Sequence, residues 1–201
     1  MKANILFSGG KDSSLCSILL EPFFDVELIT CTFGLNETIK LSQNISKELG
    51  FKHFLLKLNE NILNEACDII IKDGFPNNSI NFIHKEALIT LSKLKKNEII
   101  ADGLRRDDRV PKLELSEIRS IEDKYNINYI SPLMGYGRST INDLIKKNLI
   151  IKEDESIKIN KFDYESELRK RLYEMIGYDN TKKLFPKTHM QSVVISRIKK
   201  I

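Results

Sequence analysis

Seven consecutive residues, Ser8-Gly9-Gly10-Lys11-Asp12-Ser13-Ser14, carry the densest chemistry in the chain. Two glycines without a Cβ let the main chain come close to a phosphate. Ser8, Ser13 and Ser14 add hydroxyl donors and Lys11 adds a cation. Asp12 adds a carboxylate able to hold Mg²⁺ against polyphosphate oxygens. The apolar run Ala3-Asn4-Ile5-Leu6-Phe7 precedes them, and Leu15-Cys16-Ser17-Ile18-Leu19-Leu20 follows. That order predicts a buried strand, a glycine turn and a helix, whose free N–H groups and dipole favour an anion. The spacing matches neither G-x-x-x-x-G-K-[ST] nor G-x-G-x-x-G.

A second cluster is Asp102-Gly103-Leu104-Arg105-Arg106-Asp107-Asp108-Arg109. Arg105, Arg106 and Arg109 make a permanently charged, forked phosphate clamp. Asp107 and Asp108 either bind Mg²⁺ or hold the arginines in place. Near the C-terminus, Pro186 suits the first turn of a helix, where Lys187 and Thr188 would present donors. His189 reads as a general acid or base, or as structural. His53 and His84 have no ligand-spaced partner and read as structural. Cys16, Cys31 and Cys67 form no C-x-x-C pair, which argues against a disulfide framework or a zinc knuckle.

The elements that must position these groups alternate. Strands are expected at Val26 to Phe33, Lys52 to Leu58, Glu98 to Gly103 and Asn128 to Ser131, after the first at Ala3 to Phe7. Between them come helices at Glu37 to Leu49, Asn61 to Lys72, Ile80 to Lys95 and Leu115 to Tyr125, with a polar turn over 75–79. A helix over Thr140 to Asn148 follows, with Ser139 as its cap. This pattern predicts an α/β fold, a doubly wound five-stranded parallel sheet, with ligands beyond the strands' carboxyl ends. After Asn148, Leu149 to Lys152 and Ser156 to Ile159 flank Glu153-Asp154-Glu155 and read as a hairpin. An acidic turn is the wrong sign for a DNA-binding wing. A helix over Tyr164 to Ile176 completes a small basic extension, giving domains 1–148 and 149–201.

The chain has 201 residues, 41% hydrophobic and 30% charged, with a net charge of +4. Those values fit one globular domain with an appendage and are weak evidence for nucleic acid. No apolar run approaches the roughly 20 residues that cross a bilayer. The N-terminus runs straight into a strand without signal-peptide architecture, so a cytoplasmic protein is expected.

Ser-Gly-Gly-Lys-Asp-Ser after an N-terminal strand resembles the PP-loop of the N-type ATP pyrophosphatases, whose fold is adenine nucleotide alpha hydrolase-like. Gly103 with Asp107-Asp108, and Ser131-Pro132-Leu133-Met134, resemble further elements of that superfamily, although the histidine-rich lead-in of some relatives is missing. The resemblance implies ATP and Mg²⁺ as cofactors. It places adenine by the backbone near Thr32-Phe33-Gly34, the β and γ phosphates on Ser8–Ser14, and Mg²⁺ on Asp12 with Asp107 or Asp108. Lys11, Arg105, Arg106, Arg109 or Lys187 would offset charge on the leaving pyrophosphate. An acceptor oxygen would attack the α-phosphorus, and a nitrogen or sulfur nucleophile would then displace AMP. In sulfur-transferring relatives cysteines carry persulfide, which makes Cys31 of interest. Expected partners are tRNA, with no membrane, and a second copy in a homodimer. Amidation of a small molecule or protein side chain, and a non-catalytic ATP-binding module, remain alternatives.

Overall fold

The computed structural model describes residues 1–35, 39–108, 112–155, 164–185 and 190–198. Five strands form one sheet: β1 Lys2–Leu6, β2 Asp25–Thr32, β3 Lys52–Lys57, β4 Ile99–Ala101 and β5 Asn128–Ile130. All pairs are parallel and the spatial order is β3-β2-β1-β4-β5. The expected five-stranded parallel α/β sheet is therefore what forms.

Both faces are buried, and strict alternation along the strands explains why. Ala3, Ile5, Phe7, Val26, Leu28, Ile99 and Ala101 pack on one side with α1 Lys11–Leu20, α2 Ile39–Leu49 and α6 Arg138–Asn148. Leu6, Ile29, Cys31, Phe33 and Ile100 pack on the other. There they meet α3 Glu60–Asp73, α4 Asn77–Leu94 and α5 Leu115–Tyr125. A strand buried on both faces reads as a continuous apolar run, which is how these were visible in the sequence. Strand order reverses between β1 and β4, so their carboxyl ends open the crevice where such sheets bind ligands.

Several expectations need correction. Ser156–Ile159, expected to pair with β6, Leu149–Glu155, lie outside the described residues. β6 pairs antiparallel with β7, Met190–Arg197, from the far end of the chain. Val193 and Val194 of β7 supply the second apolar row that covers α1 and α2 beside Leu149 and Ile151. Glu153-Asp154-Glu155 thus lie in a strand rather than in a turn. α4 begins at Asn77 instead of Ile80, shortening the polar turn. α6 is capped by the extended Gly137, whose carbonyl accepts the Ile141 N–H at 3.0 Å, and not by Ser139. Helix α7, Tyr164–Ile176, forms where expected, and α8, Tyr178–Leu184, follows it unforeseen. Leu168 and Leu172 of α7 are fully buried, each contributing about 1.5–3 kcal/mol of burial. The segment after Asn148 therefore packs on the helices of both sides of the sheet.

Candidate active site

A cavity of about 240 Å³ opens at the carboxyl ends of β1, β2 and β4, lined by Ser8, Asp12, Ser13, Cys31, His84 and Asp102 among others. A second cleft, about 340 Å³, lies between α4 and α5 and contains none of the expected site residues.

The first wall is the glycine turn. Gly9 has φ +71, a left-handed conformation that L side chains rarely adopt. Gly10 is the extended N-cap of α1. The Ser14 N–H and hydroxyl both reach the Gly10 carbonyl, at 3.1 and 2.9 Å. The Ser8 and Ser13 hydroxyls lie 3.3 Å apart. Lys11, Asp12 and Ser13 are the first three helical residues, whose N–H groups have no partner inside the helix. Asp12 stands there with its Oδ1 buried and without a hydrogen-bond partner. Burial pushes its carboxyl above the usual range, although Arg105 and Lys11 oppose the shift. Lys11 Nζ pairs with Glu153 of β6 at 3.3 Å, reaching across to the C-terminal ribbon.

Gly103 joins this turn to β4. A Cβ there would lie 2.6 Å from the Ser13 nitrogen and 2.7 Å from the Asp12 carbonyl carbon. The glycine is therefore required by the close approach of the α1 backbone. Beyond it, Arg105 is held by carboxylates. Its N–H and Nε reach Asp108 at 2.7 and 3.2 Å, its Nε lies 3.5 Å from Asp107, and its Nη1 lies 3.7 Å from Asp12. Asp107 and Asp108 thus both flank the Arg105 side chain. Among the described residues no group of three metal-ligating side chains converges. Arg106 is exposed, and its guanidinium lies against Gly137, 3.0 Å from where a Cβ would stand. Arg109 and Lys187, with His189, lie outside the described residues.

The second wall was not visible in the sequence. Asp102, 2% exposed, accepts hydrogen bonds from His84 Nε2 at 2.9 Å, the Ser131 hydroxyl at 2.8 Å and the Leu104 N–H at 3.1 Å, and also from the Tyr129 hydroxyl. Burial alone would raise its carboxyl, but the bond and charge of His84, with Tyr129 and Ser131, hold it below the usual carboxylate range. The sequence signal was faint: polar residues close the apolar strands β4 and β5, and Ala101 pairs with Ile130, next to Asp102 and Ser131. His84 therefore belongs to the cavity. His53 is structural as read, hydrogen-bonding Thr30 at 2.8 Å.

At the end of β2 the backbone donors are taken. Glu167 of α7, buried, accepts from the Thr32 hydroxyl at 2.9 Å and from the N–H groups of Phe33 and Leu35 at 3.0 Å. Lys170 of the same helix donates to the Leu35 carbonyl at 2.7 Å. Thr32 and Phe33, expected to read a base, are thus bound by a carboxylate from the C-terminal segment. Cys31 lines the cavity, but burial pushes its thiol up to about 12 against the opposing hydrogen bond from Tyr164. A thiolate nucleophile has no support there.

Comparisons with known proteins fit this picture. The model of a family of unknown function, DUF7411, matches residues 1–196. Over the full chain there is 42% identity to an uncharacterized protein of Methanocaldococcus jannaschii, 98% of which is covered. A crystal structure described as a predicted subunit of tRNA methyltransferase from Methanocaldococcus jannaschii is similar over all of both chains, with a TM-score of 0.88 and 41% identity. The 7-cyano-7-deazaguanine synthase of Lysinibacillus sphaericus is 32% identical over 83 residues, 36% of this chain and 37% of the synthase. That of Staphylococcus saprophyticus is 35% identical over 102 residues, 45% of this chain and 44% of the synthase. The chain spans less than half of either synthase.

Proposed function

The chain belongs to the DUF7411 family of unknown function, and from that membership and the cavity's geometry we propose a PP-loop ATP pyrophosphatase acting in tRNA modification. One observation carries the reading: the buried Oδ1 of Asp12 in the first turn of α1, which accepts no hydrogen bond and has the Arg105 guanidinium 3.7 Å away, beside a glycine turn whose first helical N–H groups have no partner inside the helix. The partial likeness to 7-cyano-7-deazaguanine synthases supports the enzyme class. The similar structure described as a predicted tRNA methyltransferase subunit supports the tRNA side.

In this mechanism the β and γ phosphates lie on the N–H groups of Lys11, Asp12 and Ser13 and on the Ser8 and Ser13 hydroxyls. Gly9 and Gly10 admit them because no Cβ intervenes. Lys11 exchanges Glu153 for phosphate. Arg105, oriented by Asp107 and Asp108, faces the same anion. An acceptor oxygen attacks the α-phosphorus, the bond to the bridging oxygen breaks, and pyrophosphate departs while AMP stays on the acceptor. A nitrogen or sulfur nucleophile then displaces AMP. An orphaned buried carboxylate oxygen fits a divalent cation that keeps its waters and phosphate ligands. Asp12 would hold Mg²⁺, which when bound supplies positive charge against the leaving phosphates.

The test uses α-labelled ATP, Mg²⁺ and total tRNA. AMP and pyrophosphate are the expected products, and Asp12→Ala should lower their formation by about 10²–10³-fold with an unchanged unfolding curve. Release of ADP, or wild-type turnover by the variant, would overturn the reading.

A further inference from the structure

The chain leaves the Asp102 wall of the cavity at Ser131, whose hydroxyl is bound to Asp102, and enters the 3₁₀ turn Pro132–Gly135. Leu133 is fully buried and anchors that turn. Its carbonyl accepts the Tyr136 N–H at 3.1 Å, and the Ser131 carbonyl accepts the Met134 N–H at 3.1 Å. The anchored backbone leaves two large side chains in water: Met134 is 40% exposed and Tyr136 38%. Beside them, Gly137 lets the Arg106 guanidinium lie against the main chain, where a Cβ would stand 3.0 Å from it. Arg106 itself follows two residues after Leu104, which lines the cavity. Arg138, which opens α6, is exposed as well. Arg105 is spent on Asp12, Asp107 and Asp108, whereas Arg106 and Arg138 have no ion pair among the described residues. An exposed ring on a fixed backbone with two unspent guanidiniums has the parts of a single-strand nucleic-acid site. The ring stacks a base, and the forks take phosphates.

We infer that this surface binds the single-stranded RNA next to the reacting nucleotide, with a base on Tyr136 and phosphates on Arg106 and Arg138. The inference rests on the function proposed above only in taking RNA as the substrate. A nucleotide that reacts inside a cavity has to leave its duplex, and its neighbours in the strand then lie at the mouth. A paired A-form helix keeps its base faces stacked on one another and offers Tyr136 none. An acidic peptide would engage the arginines but leave the ring without a partner.

The experiment measures fluorescence anisotropy without ATP, over a range of salt, on total tRNA and on a labelled oligouridylate of about ten nucleotides, within the span of single-strand sites. Its duplex with oligoadenylate and a polyglutamate are the competitors. The single strand should bind more tightly than either. Tyr136→Ala should weaken single-strand and tRNA binding by about 5–100-fold, and Tyr136→Phe, which keeps the stacking face, by less than about twofold. Arg138→Gln should lower the salt slope by about 0.7, the share of one phosphate contact on a single strand. ATP affinity should not change in either Tyr136→Ala or Arg138→Gln, because neither side chain lines the cavity. Wild-type RNA binding by Tyr136→Ala, an equal loss in Tyr136→Phe, a preference for duplex or polyglutamate, or a parallel loss of ATP affinity would each overturn the inference. The two readings separate cleanly. If Asp12→Ala abolishes AMP formation while Tyr136→Ala binds RNA like wild type, only this surface falls. If RNA binds through Tyr136 but ATP yields no AMP, the adenylating site falls and the surface stands.

Discussion

The Ser8–Ser14 turn and the Asp102 cluster both border the cavity, but they are assembled differently. The turn is one contiguous run that leaves groups without hydrogen bonds: an Asp12 oxygen and, inside the helix, the first N–H groups of α1. The Asp102 cluster draws His84, Tyr129 and Ser131 from separate elements and matches each of these donors to one carboxylate. Unspent groups are available to a ligand, whereas matched buried groups are committed to the fold. Substitutions in the turn should therefore change chemistry with little effect on stability, and those in the cluster should destabilise the chain.

The sharpest way to break this contrast is Asp102→Ala. It leaves His84, two hydroxyls and the Leu104 N–H without their acceptor, at a cost of about 3–5 kcal/mol. Urea unfolding at neutral pH measures it, and a midpoint equal to wild type would break the comparison. The sign with pH follows from Asp102 lying below its ordinary 3.8. Its contribution is fully present above that value and is lost as pH falls through the lower folded value. The gap between the two proteins should accordingly narrow at the acid end.

Gly103→Ala tests the joint between the two regions. The added methyl meets α1 backbone at 2.6 Å, so the helix start must move from β4. Overpacking of this kind costs about 1–3 kcal/mol. The displaced turn should bind ATP about tenfold more weakly, equivalent to ~1.4 kcal/mol. Gly135→Ala is the control, because nothing lies within 4 Å of its added Cβ. Equal effects in the two variants would deny the tight approach.

The same contrast explains what could be read beforehand. Strands buried on both faces announce themselves as apolar runs, so β1, β2 and β4 were legible; the more exposed edge strands β3 and β5 were legible too, as were α5 and α7. The turn was legible because its chemistry is contiguous. His84 looked like an ordinary helical histidine, since its partner Asp102 lies on another element and only the β4–β5 pairing brings Ser131 alongside. Glu167 was equally silent, because its meaning depends on α7 docking over the end of β2. The turn expected at Glu153–Glu155 was wrong for a related reason: local pattern marked β6, but its pairing with β7 is chosen by long-range packing on α1 and α2.

The smallest expected effect concerns the ion pair that joins the C-terminal ribbon to the glycine turn. Lys11 and Glu153 lie 3.3 Å apart, and the Glu153 side chain is 54% exposed. An ion pair so open to water contributes at most about 1 kcal/mol. If Lys11 must leave Glu153 to meet phosphate, that small energy opposes binding. Glu153→Gln should then tighten ATP by up to about fivefold at low salt, and lower the stability of the unliganded protein by no more than the same ~1 kcal/mol. The gain should vanish near 1 M salt, where the screening length falls to about 3 Å. Titration calorimetry at the two ionic strengths reads both effects. Weaker binding by the variant would reverse the sign, making Glu153 part of the ATP site rather than its competitor.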